Sequence, residues 1–391
     1  MDKGETASVL AADRIDIRRV TSRADYRAFV DLPFRLYDGD PSWRPPLRSE
    51  VHALIGGAKS NPWFEHAEAA FWLAWRGGVP VGRISAQVDQ LVLEHMGAGT
   101  GQWGMFECVD DQAVADALFA VAADWLRMAG MTRMIGPFSL SIWDEPGLLV
   151  GGFELPPTVM MGHHLTYYER LVTTAGHAPI KDVYTYELPI AEEFPPQVNR
   201  VVELAEKSPR LVVREVDKSN FDVEAALILD ILNDAWSDNW GFIPLTDAEI
   251  AHAGRKLKPL VFNDLIRIAE IDGEPVAFMM TLPDINELTA DLDGRLFPFG
   301  WAKLLWRLRN PRVNRVRVPL MGVRKAHQAG RMATFMAFLM IEYIRRSASS
   351  VYGATRGEIG WILDDNKGMI TIANVIESKV TKTYRIYEKT L

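Results

Sequence analysis

The chain contains the same short pattern twice. FWLAWRGGVPVGRISAQVD begins at Phe71 and LIRIAEIDGEPVAFMMTLPD at Leu265. An offset that carries Gly78 onto Gly273 also carries Leu73 onto Ile268, Ala74 onto Ala269, Pro80 onto Pro275 and Val81 onto Val276. Each copy reads as strand, two-residue turn, strand. Gly77-Gly78 and Asp272-Gly273 suit the turn because both central residues tolerate positive φ. A looser echo lies upstream, where LYDGDPSWRPPLRSE and AWSDNWGFIPLTDAE share Trp, Pro, Leu and Glu in order. Downstream, each hairpin is followed by a further strand and an amphipathic helix: GMFEC into QAVADALFAVAADWLRMAG, and RVRVPLMGV into RMATFMAFLMIEYIRR. Order conserved over most of both halves indicates duplication.

The expected fold is therefore α+β: two tandem lobes, each a mainly antiparallel mixed sheet flanked by helices. The expected boundary lies in AEEFPPQVN, where two prolines break any regular element, giving lobes 1–190 and 191–391. At 391 residues and 48% apolar composition, the chain can bury two cores. Its net charge of −8 excludes nucleic acid as the main partner. A single cysteine, Cys108, excludes a disulfide framework, suggests a reducing, cytoplasmic setting and reads as a small buried hydrophobe. No basic-then-apolar leader opens MDKGETASVLAADRIDI, and the longest apolar run is too short to span a bilayer.

The segment PLMGVRKAHQAGRMATFMAF, which begins at Pro319, joins a strand to a helix through a polar loop. The first turn of a helix offers unpaired N–H groups and a partial positive charge. Arg324, Lys325 and Arg331 add cations, and no acid lies between Val323 and Phe338. Such a loop either cradles a phosphate or caps a core helix. At the matching place in the first lobe, the helix opens on Asp110 and Asp111, which suit an N-cap and repel an anion.

These residues resemble the GNAT superfamily of N-acyltransferases, in which a strand runs into a Q/R-x-x-G-x-G/A loop that holds the pyrophosphate of coenzyme A. Met321-Gly322-Val323 matches the strand end, and Gln328 and Ala333 match the outer loop positions. Arg331 stands at the central glycine position, with Gly330 one place earlier and Ala329 before it. Asn366 in WILDDNKGM matches an asparagine near the pantetheine arm. The resemblance implies an acyl-CoA co-substrate held by Met321 to Arg324, Gln328 to Arg331, Ala333 and Asn366, with a degenerate first lobe. LPFRLYDGDPSWRPPL, IGPFSLSIWDEPGLLVGGF, PPTVMMGHHLTYYERL and WILDDNKGM are similar to a two-lobed bacterial branch that includes ceramide synthases. That implies a fatty acyl-CoA donor and the amine of a long-chain, sphingoid base as acceptor. Acylation of an amino acid or small polar amine, and non-catalytic acyl-CoA or lipid binding, are the alternatives.

An amine attacking a thioester must lose a proton, and Glu358 in TRGEIGWIL sits where a base would face it; a solvent-facing strand residue is the alternative. The family's usual acidic tyrosine is replaced by Ala373-Asn374, which leaves Tyr384 and Tyr387 as substitutes or as packing residues. Asp144 and Glu145 are candidates to hold the acceptor's ammonium or hydroxyls, or are turn acids. Trp236, Trp240 and Phe242 either wall its pocket or bury a helix. His163-His164 lacks further ligands at metal-binding spacing, so no metal is expected. In GRLFPFGWAKLLWRLRNPR, aromatic and aliphatic residues from Phe297 to Leu308 alternate with Lys303, Arg307 and Arg309. Such a helix suits a membrane surface, the mouth of an acyl tunnel, or packing between lobes.

Overall fold

The computed structural model describes residues 14–391; most of the leading segment read for a signal sequence lies outside them. Two compact units emerge. The first takes the chain up to Pro157, then Met161–Asp182 and Thr383–Leu391; the second takes Thr158–Met160 and Val183–Lys382. The units thus divide at Asp182/Val183 rather than in AEEFPPQVN, and the C-terminal residues belong with the first.

In the first unit the strands are β1 (Asp16–Arg19), β2 (Ala67–Arg76), β3 (Val79–Asp89), β4 (Thr100–Cys108), β5 (Arg133–Gly136) and β6 (Leu148–Gly151). The sheet order is β1-β2-β3-β4-β5, closed by Thr383–Thr390, which pairs antiparallel with both β5 and β6. Helix α1 (Arg23–Leu36) starts with a capping box at Ser22 and Asp25 and buries Phe29, Val30 and Leu32. Helix α2 (Gln112–Met128) buries Val114, Leu118, Phe119, Ala122 and Leu126, the stripe expected of its period. A short helix, α3 (Tyr168–Thr174), packs Tyr168, Leu171 and Val172 into the same core.

In the second unit, β7 (Ala178–Pro189, of which Val183 onward belongs to this unit), β8 (Leu211–Glu215), β9 (Ile266–Ile271), β10 (Glu274–Pro283), β11 (Arg315–Val323) and β12 (Arg356–Leu363) form a sheet in the order β7-β12-β11-β10-β9-β8. Only β11 and β12 run parallel. Helices α4 (Pro196–Glu206), α5 (Phe221–Trp236), α6 (Gly300–Arg309), α7 (Gly330–Tyr352) and α8 (Lys367–Val375) flank it. The core joins Val198 and Val202 of α4 and Phe335 to Ile341 of α7 to Ala277, Val316, Val318 and Ile359 of the sheet. Both hairpin turns have the expected backbone: φ is 56° and 79° at Gly77-Gly78, and 53° and 86° at Asp272-Gly273. Among the described residues no helix is long and apolar enough to cross a membrane.

Candidate active site

Strands β11 and β12 are in parallel register from Arg315↔Arg356 to Val318↔Ile359, and there the pairing stops. Beyond that point β11 stays on β10 as far as Val323, paired with Ala277. On its other side, β12 slips register against β7 between Ile359 and Ile362. The two strands therefore part like a fork whose apex is the Val318/Ile359 pair. The gap is a cleft of about 440 Å³, counting its open side. It is walled by Pro319 and Met321, by Gly360 to Leu363, by Trp236 and Asn239 at the end of α5, and by Asn366 and Met369 at the start of α8. Trp236 donates from Nε1 to the Met321 carbonyl at 2.9 Å, and its ring lies 5.9 Å from that of Trp361.

The expected loop lies at the open end of β11. Gln328 donates through its amide to the Val323 carbonyl at 2.8 Å and so closes the loop on itself. Gly330 has φ +85°, so the glycine is needed one place before the family position, which Arg331 occupies. Ala329 is the N-cap and makes no side-chain cap bond, so the first turn of α7, which holds Ala333, is unsealed by any side chain. Arg331 lies over Phe335 at 4.7 Å. Arg324 pairs with Asp230 at 2.5 Å and Lys325 with Asp238 at 2.5 Å. Sequence reasoning missed these acids of α5 and the turn after it, which neutralise two of the three cations. Gly322 is a packing glycine; a Cβ there would stand 2.8 Å from the Phe278 ring. Asn366 caps α8 by accepting from the Met369 N–H at 3.1 Å.

Beside the apex lies a buried charged cluster. Glu358, 3% exposed, accepts from the Thr158 hydroxyl and faces Arg317 Nε at 3.9 Å. Burial raises its pKa, against the pull of Arg317 and the Thr158 bond. Arg317 donates to the Val159 carbonyl and, at 3.0 Å, to the Gly360 carbonyl, the first backbone acceptor past the apex. Asp284 pairs with Arg315 at 2.9 Å and accepts from the Val159 N–H at 3.2 Å. Burial lifts its pKa to about 6. Thr158, Asp284, Arg315 and Arg317 were not singled out in the sequence. The only signal was RVRV, whose alternation puts two arginines on one face of a strand that is buried on both.

The first unit has a comparable fork with different contents. Strands β4 and β5 pair from Thr100↔Arg133 to Gln102↔Ile135, and β4 runs on to Cys108. There the Cys108 N–H donates to the Tyr168 hydroxyl at 3.0 Å, and its carbonyl accepts from the Tyr167 hydroxyl at 2.7 Å. Asp111 caps α2, its carboxylate accepting from the Ala113 N–H at 2.8 Å, and Arg76 holds its pKa low. Glu107, beside Cys108, accepts from Tyr37 at 2.8 Å and Tyr168 at 2.7 Å and lies 3.5 Å from Arg83. Burial raises its pKa to about 7.

The other expected residues are scattered through the first unit. Tyr384 is buried and donates to the Gly162 carbonyl at 2.9 Å; Tyr387 is buried and donates to Glu169 at 3.0 Å. Asp144 accepts from the Ser141 hydroxyl at 3.0 Å. Glu145 bonds Ser139 at 3.1 Å and stays open to water, though the protein around it raises its pKa. His163 bonds Asp40 at 2.9 Å, and the His164 ring accepts from the Leu149 N–H at 3.0 Å. Among the described residues no group of three or more metal-ligating side chains occurs. In the second unit Trp240 and Phe242 follow α5, half-buried and outside the cleft lining.

A parallel strand pair that parts at mid-length, with the loop and long helix that follow the inner strand, defines a GNAT-type N-acyltransferase, here in tandem form. A solved tandem GNAT protein from the clavulanic acid biosynthesis pathway shares the fold, with a TM-score of 0.57 at 12% identity over 96% of this chain and 98% of that one. A bacterial ceramide synthase of Caulobacter vibrioides is 44% identical over 374 residues, 95% of this chain and 96% of that protein. The chain belongs to the family of that synthase and is an N-acyltransferase. Protein YghO of Escherichia coli K12 is 39% identical over 95% of each chain. No family model matches.

Proposed function

We propose that the protein transfers a fatty acyl group from acyl-CoA, bound in the fork of the second unit, to the amine of a long-chain sphingoid base. The observation that carries this reading is the parting of β11 from β12 just where the unsealed start of α7 follows β11. Diphosphate takes the N–H groups of that first turn and Arg331. The pantetheine arm lies in the cleft as an added strand and brings the thioester to the apex. Attack by the amine gives a tetrahedral oxyanion, which a backbone N–H left unpaired by the fork stabilises. Glu358, raised by burial, takes the amine proton, and the C–S bond breaks to release coenzyme A as thiolate. Tyr384 and Tyr387 hold bonds within the first unit and are given no part.

The first unit takes no donor in this reading. Asp111 already fills the anion position at its helix, and two tyrosine hydroxyls occupy the backbone of Cys108. The sphingoid acceptor rests on the activity carried in the name of the Caulobacter relative. Support for a lipid substrate also comes from Phe297 (82% exposed), Phe299, Trp301, Leu305 and Trp306, which stand in solvent at and before α6. We assign them to the surface of an anionic membrane, at the inner face if the protein is cytoplasmic, with Arg309 beside them. Lys303 and Arg307 are taken up by Asp291.

Thiol release from palmitoyl-CoA with sphinganine, glycine or spermidine tests the acceptor. Release confined to sphinganine is expected. Release with glycine or spermidine alone moves the acceptor to small amines, and tight coenzyme A binding without turnover on any amine rejects catalysis. Sedimentation with phosphatidylglycerol vesicles tests the surface. Wild type should pellet and Phe299→Ser/Trp306→Ser should not; equal pelleting of both rejects the patch.

A further inference from the structure

Arg317 stands on β11 one residue before the apex and is only 2% exposed. A guanidinium so buried must have its hydrogen bonds met inside the protein. Two of its nitrogens go to main chain: Nη1 to the Val159 carbonyl, and Nη2 to the Gly360 carbonyl at 3.0 Å. Nε faces the Glu358 carboxylate at 3.9 Å, beyond hydrogen-bond length. The directed bonds of Arg317 thus run to backbone, while Glu358 feels its charge.

Gly360 needs such a partner. It is the first residue of β12 past the apex, it is buried, and neither neighbouring strand gives it a register partner. Pro319, next to the apex on β11, has no N–H with which to extend the ladder. Val318 and Pro319 together stand opposite the single Thr281 of β10, a bulge of the kind that bends a strand and re-aims its side chains. Gly360 also packs closely on β7, where a Cβ would come to 3.1 Å from the Tyr184 carbonyl oxygen. The parted stretch of β12 is therefore held by packing on β7 and by the Arg317 side chain. We infer that Arg317 is a positioning residue for acyl transfer: its guanidinium replaces strand pairing at Gly360 and fixes the parted strand and the Glu358 carboxylate in one arrangement. The inference rests on the reading of Glu358 as base and of the fork as donor site. Arginine suits the task because its donors are set in a rigid plane, whereas a lysine ammonium is a point charge on a flexible stem. The other charged groups around Glu358 are Arg315, Asp284, Lys382 and its register partner Glu187 on β7, which is tied to Arg356.

The test uses the full chain, thiol release from palmitoyl-CoA with sphinganine, and calorimetry with desulfo-CoA. Arg317→Lys keeps the charge but lacks the paired donors. Its kcat on the pH plateau should fall at least tenfold, with the acid limb close to that of the wild type. Arg317→Met loses both features. Its plateau kcat should fall about a hundredfold, the cost of a misplacement near 1 Å. Its acid limb should move to higher pH, because the guanidinium favours the Glu358 carboxylate. Both variants should keep KM for palmitoyl-CoA and desulfo-CoA affinity within about threefold, since the proposed diphosphate loop follows Val323, at the open end of the fork. A lysine variant with wild-type kcat overturns the clamp, and an unmoved acid limb in the methionine variant overturns its hold on Glu358. A crystal structure of the wild type with a thioether analogue of palmitoyl-CoA needs no variant to fold. Arg317 within hydrogen-bond reach of the Gly360 carbonyl is expected there; a guanidinium swung away from it overturns the inference. Failure of the wild type to bind desulfo-CoA, or an unimpaired Glu358→Gln, overturns instead the reading on which it rests.

Discussion

Replacing Glu358 with glutamine tests the proposed chemistry most directly. Glutamine keeps the side-chain volume and can still accept from the Thr158 hydroxyl, so packing at the apex is preserved. It cannot take a proton. A positioned base contributes about 10²–10⁴ in rate, or about 3–5 kcal/mol of barrier. We therefore expect kcat/KM in thiol release to fall by that factor, with KM for the acyl donor nearly unchanged. The pH dependence has a definite sign. Burial favours the protonated carboxyl, so the wild-type acid limb lies above the pH of an ordinary glutamate, and activity rises as the carboxylate forms. Asp284, at about 6, titrates nearby, and Asp284→Asn separates the two limbs. Stability has the opposite sign. A carboxyl whose pKa is higher folded than unfolded makes the fold less stable as pH rises between the two values. Glu358→Gln lacks that loss, so its thermal midpoint at pH 8, relative to pH 5, should hold up better than that of the wild type. A variant within threefold of wild-type kcat/KM, or one with the same acid limb, would refute Glu358 as base.

Further expectations concern the loop and the first unit. Arg331→Glu should weaken desulfo-CoA binding by about 1.5–3 kcal/mol, tenfold or more in calorimetry, whereas Arg324→Glu, already tied to Asp230, should have a smaller effect. Gly330→Ala should cost about 1–2 kcal/mol at a φ of +85°, read by chemical denaturation, and lower donor affinity by displacing the first turn of α7. Glu107 rises from 4.5 to about 7, so the first unit should lose about 3 kcal/mol of stability as pH climbs through that interval. Scanning calorimetry should show that decline in wild type and its absence in Glu107→Gln; equal slopes would refute it.

Much of the fold can be read from local chemistry. Positive φ at Gly77-Gly78 and Asp272-Gly273 is a backbone demand that only a few residue types meet, so both hairpins declare themselves. The helix after each third strand does so by its apolar stripe, and Asp111 by its suitability as a cap. The cleft walls and the buried cluster could not be read in this way. Arg317 works by reaching Val159 and Gly360, and Glu358 by meeting Thr158; these partners lie 158, 43 and 200 residues apart in sequence. No periodicity encodes such meetings. Arg324 and Lys325 mislead for the same reason: their positive charge is plain in the sequence, but the acids at Asp230 and Asp238 that quench it come from a remote segment.

A duplicated fold with both nucleotide gates open would load two donors per chain and strand one of them far from any amine. On the proposed reading Asp111, bonded to the Ala113 N–H and paired with Arg76, stands where a diphosphate would otherwise bind, and it cannot diffuse away. On the proposed reading, a saturating titration ends at a single equivalent per polypeptide. On that reading the first half would keep its architecture without competing for the substrate that the second consumes.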